Sequence, residues 1–232
     1  MKRFYAEVTT ALAEGGGFSV LLDGRPVRTP ARAVLAVPSE PLAQAIAAEW
    51  RAQGEEVQPD GMRLMRLATT ALDLMPARRD DAIAEIAGHG ATELLCYRAE
   101  SPRELAARQA AVWQPWLDWA ARQHDAPLLV VSGIMPVAQP EAALKALRAA
   151  VARLDDWRLV GLHAAVTTLG SLVLGLALEQ GAIGAEAALD AALLDELFEI
   201  AQWGEDAEQT RRHQRLGADL AAAELYLRLL PS

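Results

Sequence analysis

A run of twenty residues without a formal charge constrains the fold of this chain more than any other feature: "LVGLHAAVTTLGSLVLGLAL", at 159–178. A helix of this length can span a bilayer, and Ser171 and Gly175 form a small-xxx-small pair of the kind used in membrane helix packing. A helix buried on all sides of a bundle has the same appearance. Because the run contains polar side chains and is flanked by charges of both signs, we expect a central core helix and no stable membrane insertion.

The composition and charge of the chain favour a helix-rich protein and argue against nucleic-acid binding. Its 232 residues suffice for one large domain or two small ones, and either can bury a core. The hydrophobic fraction is 52%, much of it alanine, and aromatic residues make up only 5%, which favours helices. A net charge of −9 argues against a phosphate-binding face, because nucleic-acid binders concentrate lysine and arginine.

The cysteine content and the first residues bear on the compartment. The single Cys96 cannot form an internal disulfide and suits a reducing compartment. The start, "MKRFYAEVTT", lacks the apolar core of a signal peptide and the arginine- and serine-rich run of a transit peptide. We therefore expect a cytoplasmic protein.

The first forty residues predict a small antiparallel sheet. "GFSVLLDGRPVRTP", at 17–30, is a hairpin signal centred on Asp23 and Gly24, since a tight primed turn requires residues that tolerate positive φ. "RFYAEV" before it and "AVLAVPS" after it are further strand candidates.

The remainder of the chain reads as helices. Ser39 is placed to cap the first of these helices. One apolar face of that helix directs Trp50 towards the sheet. Ser101, Pro102 and Glu104 predict a capping box at the start of a long helix, and Pro115 should kink that helix. "PLLVVSGIMPVAQP", at 127–140, is an apolar strand or extended segment. The other predicted helices span about 63–75, 77–89, 140–154, 156–180, 185–202 and 205–229, with Gly181 and Gly204 ending two of them.

These elements predict an α+β fold, with a small antiparallel β-containing N-terminal domain followed by a C-terminal α-helical bundle. We place the boundary so that residues 1–100 form the N-terminal domain, with its own helices, and residues 101–232 form the helical domain.

A search for catalytic or cofactor-binding motifs finds none. The four histidines lack the spacing of a zinc site. The chain has neither a Walker loop nor a G-x-G-x-x-G motif, and "VVSGI" lacks the flanks of a nucleophile elbow. Cys96 lies in an apolar context that would keep its thiol protonated and inert. We expect neither a metal nor a cofactor.

An acidic segment near the C-terminus, "LLDELFEIAQWGEDAEQTRR" at 193–212, is the remaining candidate site. Its six carboxylates and its tryptophan are Asp195, Glu196, Glu199, Trp203, Glu205, Asp206 and Glu208.

Three interpretations of this segment are open. The last three acids fall in the first turn of the final helix, where the macrodipole favours negative charge, and Glu208 is placed to pair with Arg211 or Arg212. Asp195 and Glu199 stand four residues apart on one helix face, where like charges cost about 0.2–0.5 kcal/mol. The acids are therefore a solvated face, a docking stripe for a basic partner, or a catalytic pair. A di-metal bundle would need Glu-x-x-His motifs, and the chain has none.

The chain also resembles the ATP synthase F(1) assembly chaperones that bind the α subunit of the catalytic head. Seven segments carry this resemblance in order, nearly from end to end: "LDGRPVRTP" (22–30), "EWRAQ" (49–53), "LLCYRA" (94–99), "WQPWLDW" (113–119), "GIMPVAQP" (133–140), "GSLVLGLAL" (170–178) and "LLDELFEIAQWGEDAE" (193–208).

The resemblance implies a non-enzymatic chaperone, and the lack of a transit-peptide pattern at the start favours a bacterial one. Such a protein would hold the free ATP synthase α subunit, cover the surface destined for the β subunit, and so promote assembly of the catalytic head. Reversible cover of an exposed apolar patch prevents aggregation. The alternative is a carboxylate-dependent enzyme, with or without a divalent metal, that uses the acidic segment 195–208.

Overall fold

The chain changes from strands to helices near residue 40. A computed structural model describes residues 2–204 and 206–231. The first sheet is antiparallel and its strands are β1 (Val8–Leu12), β2 (Phe18–Leu22), β3 (Arg25–Pro26) and β4 (Ala36–Val37). β2 pairs with each of the other three strands. Asp23 and Gly24 both have positive φ, at 47° and 75°, which confirms the predicted tight hairpin turn.

The predicted strand at "RFYAEV" is wrong, because this backbone bonds elsewhere. The backbone N–H of Arg3 donates to the carbonyl of Glu55 at 2.8 Å. The Asp23 carboxylate accepts from the N–H groups of Ala6 and Glu7 at 3.0 and 2.8 Å. Groups that a neighbouring strand would bind are therefore satisfied by the segment that follows the first helix and by the hairpin turn.

Ten helices follow within the described residues. They are α1 (Glu40–Arg51), α2 (Arg63–Asp73), α3 (Met75–Gly88), α4 (Arg103–His124), α5 (Glu141–Ala152), α6 (Asp156–Leu169), α7 (Leu172–Glu179), α8 (Ala185–Ala192), α9 (Leu194–Trp203) and α10 (Ala207–Leu229). Single 3-10 turns lie at Pro59–Gly61, His89–Thr92 and Leu94–Cys96. A second sheet is parallel and pairs β5 (Tyr97–Arg98) with β6 (Val131–Ser132).

The uncharged run forms two helices, so the prediction of one helix over 156–180 is wrong. Gly170 ends α6 with φ of 65°, a conformation that favours glycine. Ser171 then caps α7, since its Oγ accepts from the N–H of Leu174 at 3.0 Å. All eight residues of α7 are buried. Among the described residues no helix is long and apolar enough to cross a membrane.

The predicted core position of this run is confirmed. α6 contacts α2, α3, α7, α8 and α10. A Cβ atom on Gly175 would collide with Val166 of α6, and one on Gly161 would lie 2.5 Å from Leu227 of α10. The small residues thus allow helix axes to approach closely, as the pattern indicates.

Two further helix boundaries differ from the prediction. α4 begins at Arg103 after an extended Pro102, and no side chain caps it, so the predicted capping box is wrong. The same helix continues as one element through Pro115, and the predicted kink at this residue stays a prediction. The predicted helix at 185–202 is α8 and α9, separated at Leu193.

Helices from the two predicted domains share packing contacts. α2 packs against α6 and α10, and α3 packs against α6; α2 and α3 precede residue 100, whereas α6 and α10 follow it. The division after residue 100 stays a prediction. The α+β class is confirmed, with a small antiparallel sheet near the N-terminus and helices in the C-terminal part.

Candidate docking site

The acidic segment occupies α9, the turn after it and the start of α10. Asp195 and Glu196 lie in the first turn of α9, and Gly204 ends that helix with φ of 86°. Glu205 lies outside the described residues. Asp206 is the N-cap of α10. The segment therefore spans parts of two helices, and its acids have different surroundings.

Asp195 connects α9 to α4 and is not a free carboxylate. Its Oδ1 accepts a hydrogen bond from Nε2 of the buried Gln109 at 2.8 Å. The other end of this amide, Oε1, accepts from the N–H of Ala99 at 2.7 Å. Gln109 thus satisfies both its polar ends by joining Asp195 to the segment that enters α4.

A buried arginine supports the same junction from the other side. Nη1 of Arg98 donates to the carbonyl of Gln109 at 2.9 Å, and the guanidinium lies 5.1 Å from the ring centroid of Trp113. Burial lowers the pKa of Arg98 from its usual value, yet an arginine stays protonated at neutral pH. Nε1 of Trp113 donates to the carbonyl of Ala191 at 2.7 Å. α4 is therefore fixed to both α8 and α9.

Glu196 points instead towards α10. Its Oε2 lies 2.6 Å from Nη1 of Arg212 and 3.0 Å from Nε2 of His213. Partial burial raises the pKa of the Glu196 carboxyl, but the hydrogen bonds from His213 and Arg212 outweigh burial, and the pKa is below its usual value. Glu196 thus holds the two helices of the segment together.

The predicted ion pair of Glu208 with Arg211 or Arg212 does not form among the described residues, and Arg212 is engaged by Glu196 instead. Asp206 has a capping function that the sequence did not predict. Its carboxylate accepts from the N–H groups of Glu208 and Gln209, both at 2.8 Å. The side chain of Gln209 in turn accepts from the N–H of Asp206 at 3.2 Å, which completes a capping box.

Three of the predicted residues are exposed and unengaged. Glu199 and Glu208 are exposed, and within residues 2–204 and 206–231 their carboxylates form no hydrogen bond or ion pair. Trp203 is 84% exposed, which is unusual for so large an apolar side chain. These three residues are available to a partner, whereas Asp195, Glu196 and Asp206 have partners within the chain.

The arrangement does not favour acid–base or metal chemistry. Across the described part of the chain, no three histidine, cysteine, aspartate or glutamate residues are grouped so that they could hold a metal ion. Burial raises the pKa of the Cys96 thiol to about 12, helped by the nearby Glu93 charge, so this thiol is a poor nucleophile. The predicted burial of this cysteine is confirmed.

Sequence reasoning missed the positioning residues of this site, Arg98, Gln109 and His213. Gln109 and Trp113 lie four residues apart on one face of α4, and an amide on a helix face with a buried tryptophan was the available signal.

Comparison with known proteins agrees with the end-to-end resemblance. The ATP12 chaperone protein family profile matches residues 2–121. The crystal structure of Atp12 from Paracoccus denitrificans superimposes with a TM-score of 0.94 at 41% identity, over 99% of this chain and 98% of that one.

Two further relatives extend the comparison. A candidate chaperone from Agrobacterium tumefaciens has a TM-score of 0.95 at 40% identity, over 99% of this chain and 86% of that one. Protein atp12, mitochondrial, of Schizosaccharomyces pombe is 23% identical over 222 residues, which cover 90% of this chain and 76% of that protein. The chain therefore belongs to the ATP12 chaperone family and is a chaperone, not an enzyme.

Proposed function

We propose that this chain binds the free α subunit of ATP synthase, shields the surface that the β subunit later contacts, and promotes assembly of the catalytic head. Membership of the ATP12 family supports a role in ATP synthase assembly. The match to Paracoccus Atp12 over 99% of this chain is the observation that carries the proposal.

The acidic segment supplies a docking surface for such a partner. Glu199 and Glu208 offer negative charge, and Trp203 offers a large apolar side chain of the type that dominates binding energy in protein interfaces. Glu196 joins α9 to α10 through Arg212, and Asp206 caps the start of α10, so the surface is formed before the partner arrives. A preformed surface loses little conformational entropy on binding.

The partner should present basic groups beside an apolar patch. The chaperone carries a net charge of −9, which steers a basic surface towards it. The binding must also be reversible, because the β subunit has to replace the chaperone. We place this exchange in the bacterial cytoplasm.

A light-scattering experiment tests the shielding. Isolated α subunit is held under conditions in which it aggregates, with increasing amounts of the chaperone and without ATP. We expect suppression at a near-equal molar ratio, because cover by binding follows mass action. Added β subunit should lower the amount of α subunit that stays bound to the chaperone. Unchanged aggregation at every ratio would contradict the proposal.

A further inference from the structure

An exposed apolar loop lies outside the acidic segment in the sequence. Residues 127–140 carry no formal charge, yet four large side chains of this stretch are at the surface. Leu129 is 48% exposed, Val130 41%, Ile134 94% and Met135 77%. Single exposed apolar residues are common, but a group of four within seven positions is a feature of contact surfaces.

The loop is held in place by specific hydrogen bonds. The buried Gln139 accepts from the N–H of Leu129 at 2.8 Å and donates to the carbonyl of the same residue at 3.0 Å. β6 pairs with β5, and the N–H of Gly133 donates to the carbonyl of Arg98 at 2.8 Å. These bonds hold the loop at Leu129, Gly133 and Gln139. The backbone between these points leaves the apolar side chains exposed.

Hydrogen bonds also connect the loop to the acidic segment. Arg98, whose carbonyl holds Gly133, donates through its guanidinium to the carbonyl of Gln109. Gln109 in turn donates to Asp195 at the start of α9. A second acid borders the loop directly, since a Cβ atom on Gly133 would lie 2.9 Å from Oε1 of Glu100. The loop is thus an apolar surface with the Glu100 carboxylate beside it, and a chain of hydrogen bonds links it to Asp195.

Four side chains are too few for a stable interface on their own. A specific protein contact buries about 800 Å² on each partner, so the loop can supply only part of one. A second copy of this chain is a poor occupant, because each copy carries a net charge of −9 and like charges repel. A partner with an apolar patch and basic neighbours complements the loop, the Glu100 carboxylate beside it and the negative charge of the chain.

We propose that Leu129, Val130, Ile134 and Met135 form the apolar contact for the same ATP synthase α subunit that docks on the acidic segment. This inference rests on the proposed function and adds a second contact to it. The flexible thioether of Met135 suits a surface that must fit a partner and later release it. Ile134 and Met135 are the two most exposed of these residues. They contribute most of the apolar area that binding removes from water.

The test is a binding titration with the double variant Ile134→Ser/Met135→Ser. Both side chains project into solvent, so the variant should melt at the parental temperature, while its affinity for purified α subunit should fall at least tenfold. The matched control is Leu12→Ser/Leu74→Ser, which removes two exposed apolar side chains from the N-terminal sheet and from the turn between α2 and α3. The control should bind like the parent.

Parental affinity in the double variant would overturn this inference while leaving the proposed function intact. An equal loss in the control would also overturn it, because general surface apolarity would then explain the binding. Sedimentation of the chaperone alone covers the second-copy alternative: a parental dimer that the double variant converts to a monomer would assign the loop to self-association. Failure of the parent itself to bind α subunit would reject the proposed function and, with it, this inference.

Discussion

Nε2 of Gln109 donates a hydrogen bond to Oδ1 of Asp195 at 2.8 Å, although Gln109 is buried and Asp195 lies at the surface. The two residues are 86 positions apart in the chain. Their bond makes Asp195 a structural link between α4 and α9, while Glu199, one turn further along α9, has no such bond within the described residues. The two acids share a helix face but differ in what their removal should do.

Asp195→Ala should destabilise the fold, whereas Glu199→Ala should not. Loss of the Asp195 carboxylate leaves one N–H of the buried Gln109 amide without its partner, which costs about 1–3 kcal/mol. Glu199→Ala should change the free energy of unfolding by less than about 0.5 kcal/mol. Urea denaturation of the two variants measures the difference. Equal stabilities would contradict the structural role of Asp195.

Glu196 should make a pH-dependent contribution to stability. Its pKa in the folded chain is below the usual value, so the ionised group stabilises the fold above the unfolded pKa of about 4.3. That contribution is lost as pH falls through the folded pKa. At pH 7 the parent should be more stable than Glu196→Gln by less than about 1 kcal/mol, since the ion pair is partly exposed. Denaturation at pH 7 and below pH 4 should show this gap closing, and a gap that widens in acid would refute the assignment.

Trp50→Arg should act through destabilisation. Trp50 is 8% exposed and lies edge-to-face against Tyr5, with ring centroids 5.5 Å apart. The Tyr5 hydroxyl also donates to the carbonyl of Trp50 at 2.7 Å. Loss of this packing and burial of a charge should cost about 3–5 kcal/mol. Trp203→Arg is the control, and its midpoint of thermal unfolding should equal that of the parent. A Trp50→Arg variant that melts like the parent would show that the indole is not part of the core.

Glu93→Ala should destabilise the start of α7. The Glu93 carboxylate is fully buried and accepts from the Ser171 hydroxyl and from the N–H groups of Leu172 and Val173. Each buried donor left unsatisfied costs about 1–3 kcal/mol, so we expect a loss of about 3 kcal/mol or more. Glu85→Ala, at an exposed acid, is the control and should change stability little. Chemical denaturation compares them, and similar midpoints would count against this role of Glu93.

The parts of the fold that follow from neighbouring residues could be predicted from the sequence. The hairpin turn at Asp23 and Gly24 depends on local φ preferences. The first helix begins where Ser39 accepts from the N–H of Leu42 at 3.2 Å, a cap that a short sequence motif predicts. Both predictions are confirmed.

The break at Gly170 and Ser171 was missed because burial on all sides removes the amphipathic period that marks helix ends. The bond between Glu93 and Ser171 joins residues 78 positions apart, and no local pattern indicates such a pair. The same reason explains why the roles of individual residues in the candidate site could not be predicted. The sequence located the acidic segment, but the separate roles of Asp195 and Glu196 depend on α4 and on α10, which only the folded chain brings to them.

Co-elution in size-exclusion chromatography tests the central claim most directly. Purified chaperone is mixed with an equal amount of purified ATP synthase α subunit, and in parallel with purified β subunit, without nucleotide. We predict a shared peak with the α subunit, its weakening by Glu199→Lys, and separate peaks with the β subunit. Separate elution of chaperone and α subunit at micromolar concentration would contradict the account.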